Sequence, residues 1–354
     1  MKKIPEGWKE VELGEVLDYE QPGKYIITGE ILESTEKNSV PVLTANKSFI
    51  LGYTNETEGV NNKLPVIIFD DFTTDNKFVD FRFKVKSSAM KLLRPKNNSI
   101  NLKYVFLLMQ TLKINSTTHK RYYLSAYRHI KIPLPPLPIQ KKIVEKLEKA
   151  EKIKQDREEA NKLTQEYLQS VFYEMFGDPR INNKKWPMEK GNDIFEMSYG
   201  SGLTEENRDG GKYPVYGSNG KVGSHSEYLV KGPGIVVGRK GSIGELNFVN
   251  DNFWPIDTTY YVNLKRKTDM MFLLFLLKCF NLSRLNKSAA IPGLNRNDVY
   301  DINFICPPFS LQQKFAKIVE QIEKIKEHQK ESREEIDKMF NSLMSRAFKG
   351  ELII

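Results

Sequence analysis

Cysteine, histidine and long apolar runs are scarce in this chain, and each scarcity removes a class of protein. Two cysteines, Cys279 and Cys306, in 354 residues form neither a disulfide framework nor a four-cysteine zinc site. A reducing, cytoplasmic setting is therefore the expectation. The four histidines, His119, His129, His225 and His328, are scattered without metal-ligand spacing. The longest apolar run, Met270–Leu277, has eight residues, less than half of a membrane span. The basic start MKKIPEGWKE has no apolar stretch behind it, so no secretory signal is expected.

Catalytic motifs are equally thin. Gly232-Pro233-Gly234 with Gly238 runs through a strand-like stretch instead of opening a helix, so it is no dinucleotide fingerprint. Gly220-Lys221 lacks both the earlier glycine and the following Ser/Thr of a phosphate-binding loop. Cys306-Pro307-Pro308-Phe309 has the outline of the Asp/Asn-Pro-Pro-Tyr/Phe box of amino methyltransferases. Cysteine cannot accept the amino-group hydrogen bonds that box requires, and the better reading is a proline entry to a helix. Asp70-Asp71 with Lys77 is more simply turn chemistry at a strand end than a nuclease cluster.

What the chain does have is an internal repeat. PPLPIQKKIVEKLEKAEKIKQ from Pro135 and PPFSLQQKFAKIVEQIEKIKE from Pro307 share nine identical pairs, Gln140/Gln312 among them, at an offset of 172 residues. Ser170/Ser342 and Phe176/Phe348 keep that offset. Fainter echoes precede the helices: Trp8 and Trp186, Pro41-Val42 and Pro214-Val215, Tyr104–Leu108 and Phe272–Leu276. The order is globular part, helix, globular part, helix. The expected fold class is α+β: two similar mixed α/β domains at 1–134 and 179–306, and spacer helices at 135–178 and 307–354. The repeat implies an internal pseudo-two-fold.

The prolines suit a helix entrance, and Gly177 and Gly350 suit its stops. Ile139 to Phe176 alone would make about 57 Å of helix at 1.5 Å per residue. In the second helix Phe315, Ile318, Ile322, Ile325, Ile336, Met339 and Leu343 follow a 3.5-residue period, with Gln329 and Ser332 on the same stripe. In the first, Ile143, Leu147, Ala150, Ile153, Tyr167 and Val171 share a broad face. Neither stripe can be buried alone. The duplication favours antiparallel pairing within one chain over a dimeric coiled coil.

Charge is unevenly divided. The net +9 resolves into +5 on residues 1–134, −1 on 135–178, +4 on 179–306 and +1 on 307–354. Two basic domains joined by nearly neutral helices suggest a polyanion touched at two places, and DNA or RNA fits. Strand-like runs at Val66–Phe69, Phe78–Val85, Tyr213–Tyr216 and Ile235–Val237 flank polar turns. Side chains on those turns and nearby loops are the candidate readers: Asn46, Lys47, Thr73, Thr74, Lys77, Lys120, Arg121, Ser218, Asn219, Lys221, Arg239, Lys240, Ser242, Asn295 and Arg296. For any single loop, solvated turn chemistry is at least as good an account.

Along essentially its whole length the chain resembles the specificity subunit of type I restriction–modification systems. The resemblance rests on IPLPPLPIQKKIVEKLEKAEKI and its copy FICPPFSLQQKFAKIVEQIEKI, on GWKEVELGEV, YPVYGSNGKVG and GIVVGRKGSIG, and on IIFDDFTTDNKFVDF. It implies two target recognition domains, each reading half of a split, asymmetric double-stranded DNA site, with the helices as a ruler. It also implies two modification subunits that carry S-adenosylmethionine and methylate adenine at N6, and restriction subunits that use ATP and Mg. This chain would then be non-catalytic, bind no cofactor or metal of its own and touch no membrane. Three other readings stay open: the recognition subunit of a related two-subunit restriction system, a single-chain enzyme with unrecognised catalytic residues, and a coiled-coil adaptor without DNA binding.

Overall fold

The computed structural model describes residues 5–33, 39–44, 48–112, 122–285 and 293–352. It divides into two compact units: residues 1–157 with 332–354, and residues 158–331. The long helices are thus parts of the units, each contributing one portion to either.

In unit 1 the order is β1 (Lys9–Glu12), α1 (Leu13–Val16), β2 (Leu17–Glu20), β3 (Val40–Leu43), β4 (Ile50–Thr54), β5 (Val66–Asp70), β6 (Asn76–Val79), β7 (Lys84–Val85), β8 (Met90–Pro95), α2 (Leu102–Met109), α3 (Tyr122–Ser125), β9 (Lys131–Leu134) and the start of α4 (Leu137–Phe176). A four-stranded antiparallel sheet has the order β2-β8-β5-β6, and a three-stranded sheet the order β4-β3-β7. β1 and β9 form a separate two-stranded antiparallel pair.

Unit 2 repeats the plan: β10 (Met188–Lys190), α5 (Gly191–Ile194), β11 (Phe195–Tyr199), β12 (Tyr213–Gly217), β13 (Gly220–His225), β14 (Gly234–Gly238), β15 (Leu246–Val249), β16 (Trp254–Pro255), β17 (Thr259–Leu264), α6 (Met270–Cys279), α7 (Arg296–Tyr300), β18 (Asn303–Ile305) and α8 (Phe309–Lys349). Its sheets are β11-β17-β14-β15 and β13-β12-β16, with β10 against β18. The parallel pairs β3/β7 and β12/β16 correspond as well. The repeat read from the helices therefore extends through every sheet.

The Pro-Pro-x-x-x-Gln entrance has a physical cause in both units. Gln140 is 1% exposed. Its Oε1 accepts the Asn101 N–H at 2.8 Å, and its Nε2 donates to the carbonyls of Pro135 (2.8 Å) and Ser99 (3.1 Å). Asn101 in turn caps α2 by accepting from the Tyr104 amide at 3.0 Å. In unit 2 Gln312 accepts from the Asp269 amide (2.9 Å) and donates to Pro307 (2.8 Å), while Asp269 caps α6. One buried side chain thus ties the start of each long helix to the start of the helix behind it. Gly177 and Gly350 follow the last turns at φ +75° and +71°, where a Cβ would be strained.

The core of unit 1 joins Ile67, Phe69, Leu93, Tyr104 and Tyr127 to Ile143 and Leu147 of α4 and Met344 and Ala347 of α8. In unit 2 Phe172, Phe176, Phe272 and Phe315 form a ring cluster within the core, with neighbouring centroids 4.7 to 6.0 Å apart. Within each unit the helix segments run antiparallel. In unit 1, α4 meets α8 through the Lys154–Asp337 ion pair at 2.8 Å. In unit 2, Gln329 donates to Thr164 at 3.0 Å, and Phe172 meets Phe315.

Those contacts correct part of the expected stripe. Ile143, Leu147, Val171 and Phe315 are buried, and Ala150, Ile318, Ile322, Ile336 and Leu343 are half-buried. Ile153, Tyr167, Ile325 and Met339 are exposed, Met339 at 72%. The reason is rotational. Leu147 and Leu168 set which face of α4 turns inward, and steps of three and four between them land on Ala150, Lys154, Arg157, Asn161 and Thr164. The middle of the seam is polar, so the apolar residues nearby in sequence lie off it.

Candidate nucleic-acid interface

In unit 1 the β5–β6 turn is built on Asp70. Its Oδ1 accepts the amides of Phe72 (2.8 Å) and Thr73 (2.9 Å). The Thr73 hydroxyl accepts the Asp75 amide at 3.3 Å, and Thr74 sits at φ +66°. Lys77 is half-buried in β6, where it pairs with Ile68. These are the side-chain duties of a turn. Asp71 turns inward: it is buried against Lys91 at 3.2 Å and accepts the Tyr123 amide at 2.9 Å. The two aspartates therefore serve folding separately and do not converge, and among the described residues no group of three or more metal-ligating side chains does. Asn46, Lys47, Lys120 and Arg121 lie outside the described residues.

Unit 2 gathers more of the candidates. The two-residue turn Ser218-Asn219 closes the β12–β13 hairpin, and its flanking Gly217 and Gly220 pair. The Ser218 hydroxyl donates to the Lys240 carbonyl, which joins this turn to the loop after β14. Arg239 and Lys240 both donate their amides to Thr258 (2.9 and 3.1 Å). The Arg239 carbonyl accepts the Leu294 amide at 2.9 Å, which brings in the segment before α7. There Asn295 caps α7 by accepting the Asn297 amide at 3.0 Å, and Arg296 is its first residue. Ser218, Arg239, Lys240, Asn295 and Arg296, up to 78 positions apart, thus meet at one corner. Asn219 and Lys221 are exposed on the same hairpin, and Ser242 is half-buried in the β14–β15 loop.

Two tyrosines that sequence reasoning missed organise this corner. Tyr199, at the end of edge strand β11, has its ring 5.2 Å from the Arg239 guanidinium and 5.1 Å from that of Arg296. Tyr260 lies 5.0 Å behind it. Burial, with the neighbouring Tyr199 hydroxyl, pushes the Tyr260 phenol up to about 12, and its hydroxyl donates to Leu294 at 3.1 Å. Arg239 is held by two N–H bonds to the Asp257 carbonyl (3.2 and 2.6 Å), and Arg296 by one to Met197 (3.1 Å).

Two guanidiniums on one ring are at most about 10 Å apart. At an effective dielectric near 20 they repel by at least about 1.5 kcal/mol. Three cation–π contacts, the third from Arg239 to the Tyr260 ring at 5.9 Å, return roughly 0.5–1 kcal/mol each. The corner therefore sits near balance, and among the described residues no carboxylate lies within ion-pair distance of Arg239, Lys240 or Arg296. Such a cluster is suited to phosphate oxygens or the acceptor edge of a base. The only sequence trace of the tyrosines is Tyr260-Tyr261 in a strand-like run.

The registers place the same corner of unit 1 at Asp71 and Lys91. Asp71 follows β5 as Arg239 follows β14, and Lys91 faces Phe69 as Tyr260 faces Val237. A buried ion pair in one unit stands where the other presents guanidiniums on tyrosines.

A profile described as the type I restriction modification DNA specificity domain matches residues 5–165 and again 183–338. The chain belongs to that specificity family. The double match follows the duplication, one copy of the domain for each set of sheets. The specificity subunit of the type I restriction enzyme EcoR124I/EcoR124II of Escherichia coli is 49% identical over 149 residues, 39% of this chain and 36% of that subunit. The aligned stretch thus spans little more than a third of the curated relative. The S subunit of a type I restriction–modification system from M. genitalium shares the fold across 98% of this chain and 97% of its own, with TM-score 0.67 and 15% identity. A chain from a study of complex assembly and conformational transition in a type I system matches over 99% of this chain and all of its own length, with TM-score 0.61 and 18% identity. For this specificity chain, helices α4 and α8 are continuous with the recognition units, and among the described residues no helix is long and apolar enough to cross a membrane.

Proposed function

We propose that this chain is the DNA-reading subunit of a cytoplasmic type I restriction–modification complex. In this reading each unit contacts one half of a split, asymmetric site. The chain itself is non-catalytic and holds no cofactor. Two modification subunits supply S-adenosylmethionine and methylate adenine at N6, and restriction subunits supply ATP-driven cleavage with Mg. The target adenine must leave the base stack for methylation, at a cost of a few kcal/mol met by the whole complex.

The observation that carries the reading is the unlike chemistry at one corner of a duplicated fold. Among the described residues the guanidiniums of Arg239 and Arg296 have no carboxylate partner, which favours acceptor-rich base edges or phosphates. The Asp71–Lys91 pair offers no such donors, so two units of the same topology favour different half-sites. Partner docking has its own support. Ile153 and Met339 in unit 1, and Leu163, Tyr167 and Ile325 in unit 2, are exposed apolar residues on the long helices.

The test is to supply this chain with its modification subunits and map N6-methyladenine on a genome. A split motif is expected, and replacing unit 2 with that of a relative should change one half of it. A motif without a gap, or one indifferent to the exchange, refutes the reading. The EcoR124I/EcoR124II likeness favours the type I system over a two-subunit one.

A further inference from the structure

We propose that Tyr199 is a positioning residue for DNA readout: its ring face fixes the guanidiniums of Arg239 and Arg296 so that both act on adjacent positions of the half-site read by unit 2. This rests on the reading that unit 2 contacts DNA, and it assigns a specificity role to a residue that carries no charge.

Three features of the corner lead there. Tyr199 is 52% exposed at the end of edge strand β11, so its ring stays open to solvent beside the two arginines. Its ring takes a guanidinium from each of two segments 57 positions apart, the loop after β14 and the start of α7. Each arginine is also pinned at one edge by a single carbonyl, Asp257 for Arg239 and Met197 for Arg296. An arginine has five N–H donors in a plane. Arg239 uses two and Arg296 one in these contacts, so both keep donors for an outside acceptor.

A carbonyl and a ring face together define a guanidinium plane far better than either alone. Base discrimination by arginine needs that plane, because it relies on two parallel hydrogen bonds to one base edge. Removal of the ring leaves Arg296 on its one hydrogen bond to Met197, and Arg239 on the Asp257 carbonyl and the more distant Tyr260 ring at 5.9 Å, with the two cations still repelling. They would still attract phosphates but would no longer present a fixed fork. The effect should therefore fall on sequence preference more than on general affinity. It belongs to the ring and not to the hydroxyl, so phenylalanine should replace tyrosine.

The experiment uses the full chain assembled with its modification subunits and a DNA pool randomised across the half-site. Binding is read by sequencing and methylation in parallel. With Tyr199→Phe the preferred sequence should be unchanged. With Tyr199→Leu, discrimination at one or two adjacent positions of one half-site should fall about 10-fold or more. The other half-site and the salt dependence should stay as they were. Arg239→Lys, which keeps the charge but loses the planar stack, should relax the same positions and covers the case of an unfolded Tyr199→Leu. A wild-type complex with a clear preference that Tyr199→Leu or Arg239→Lys leaves intact overturns the proposal alone. So does a uniform loss of affinity for every sequence. A wild-type complex without any preference overturns the DNA reading itself.

Discussion

Replacing Gln140 with alanine should loosen unit 1 more than the matching change at Gln312 loosens unit 2. Gln140 makes three hydrogen bonds from a fully buried site, to Asn101, Ser99 and Pro135. Gln312 makes two, to Asp269 and Pro307. A protein hydrogen bond is worth about 0.5–1.5 kcal/mol net, and a buried group left unpaired costs about 1–3 kcal/mol. The expected losses are therefore about 2–4 kcal/mol for Gln140→Ala and about 1–3 kcal/mol for Gln312→Ala. Hydrogen exchange read by mass spectrometry suits the question, because two units need not unfold together. Protection should fall at the amides of Asn101 and Tyr104 in the first variant, and at those of Asp269 and Met271 in the second. Gln140→Glu keeps the acceptor for Asn101 but turns an oxygen toward two carbonyls, so it should not rescue. Exchange at Asn101 within about 0.5 kcal/mol of wild type in Gln140→Ala would refute the reasoning.

Other outcomes follow from the same contacts. Lys91→Met should cost about 3–5 kcal/mol by leaving Asp71 charged and buried, and Asp71→Leu on top of it should recover much of that in thermal denaturation. A Lys91→Met chain that melts like wild type would show that the pair is not buried in solution. Glu56 is held down to about 2, chiefly by the hydrogen bond from Lys84, with the Gly29 and Thr28 amides adding to it. Its folded-state value is depressed, so its stabilising contribution is whole above the ordinary carboxylate value of 4.5 and is lost as pH falls toward 2. Urea midpoints of wild type and Glu56→Gln should differ at pH 6 and converge near pH 2; a gap constant across that range would count against the pairing.

The repeat was legible because helices of this kind write their period and their entrance into local sequence. Pro135-Pro136 and Gln140 are close enough to be read as one motif, and Gly177 as a stop. Their meaning was not legible: Asn101 lies 39 positions from Gln140, and nothing local announces that the two bond. Strand alternation had a similar limit. Phe78–Val85 reads as a single strand, yet β6 joins β5 in one sheet and β7 joins β3 in the other. Alternation reports which side is buried and says nothing of the partner strand. The helix stripe fails at Ile153, Tyr167, Ile325 and Met339 because apolar spacing alone does not report which rotation the helix ends impose.

At the candidate interface the residue types were readable and their grouping was not. Arg239, Asn295 and Arg296 stood out as polar groups on loops, and the loops do meet. Thr73 stood out equally, and its side chain serves its own turn. The amino-acid sequence by itself determined the duplication, the long helices, the family and the division of charge, since each is carried by spacing or composition along the chain. Only the tertiary structure decided which side of each helix is inside, and that Tyr199 holds two arginines. It alone showed that a buried Asp71–Lys91 pair occupies the matching corner. Those facts depend on contacts between distant segments, where packing and charge act through space and leave no pattern in sequence.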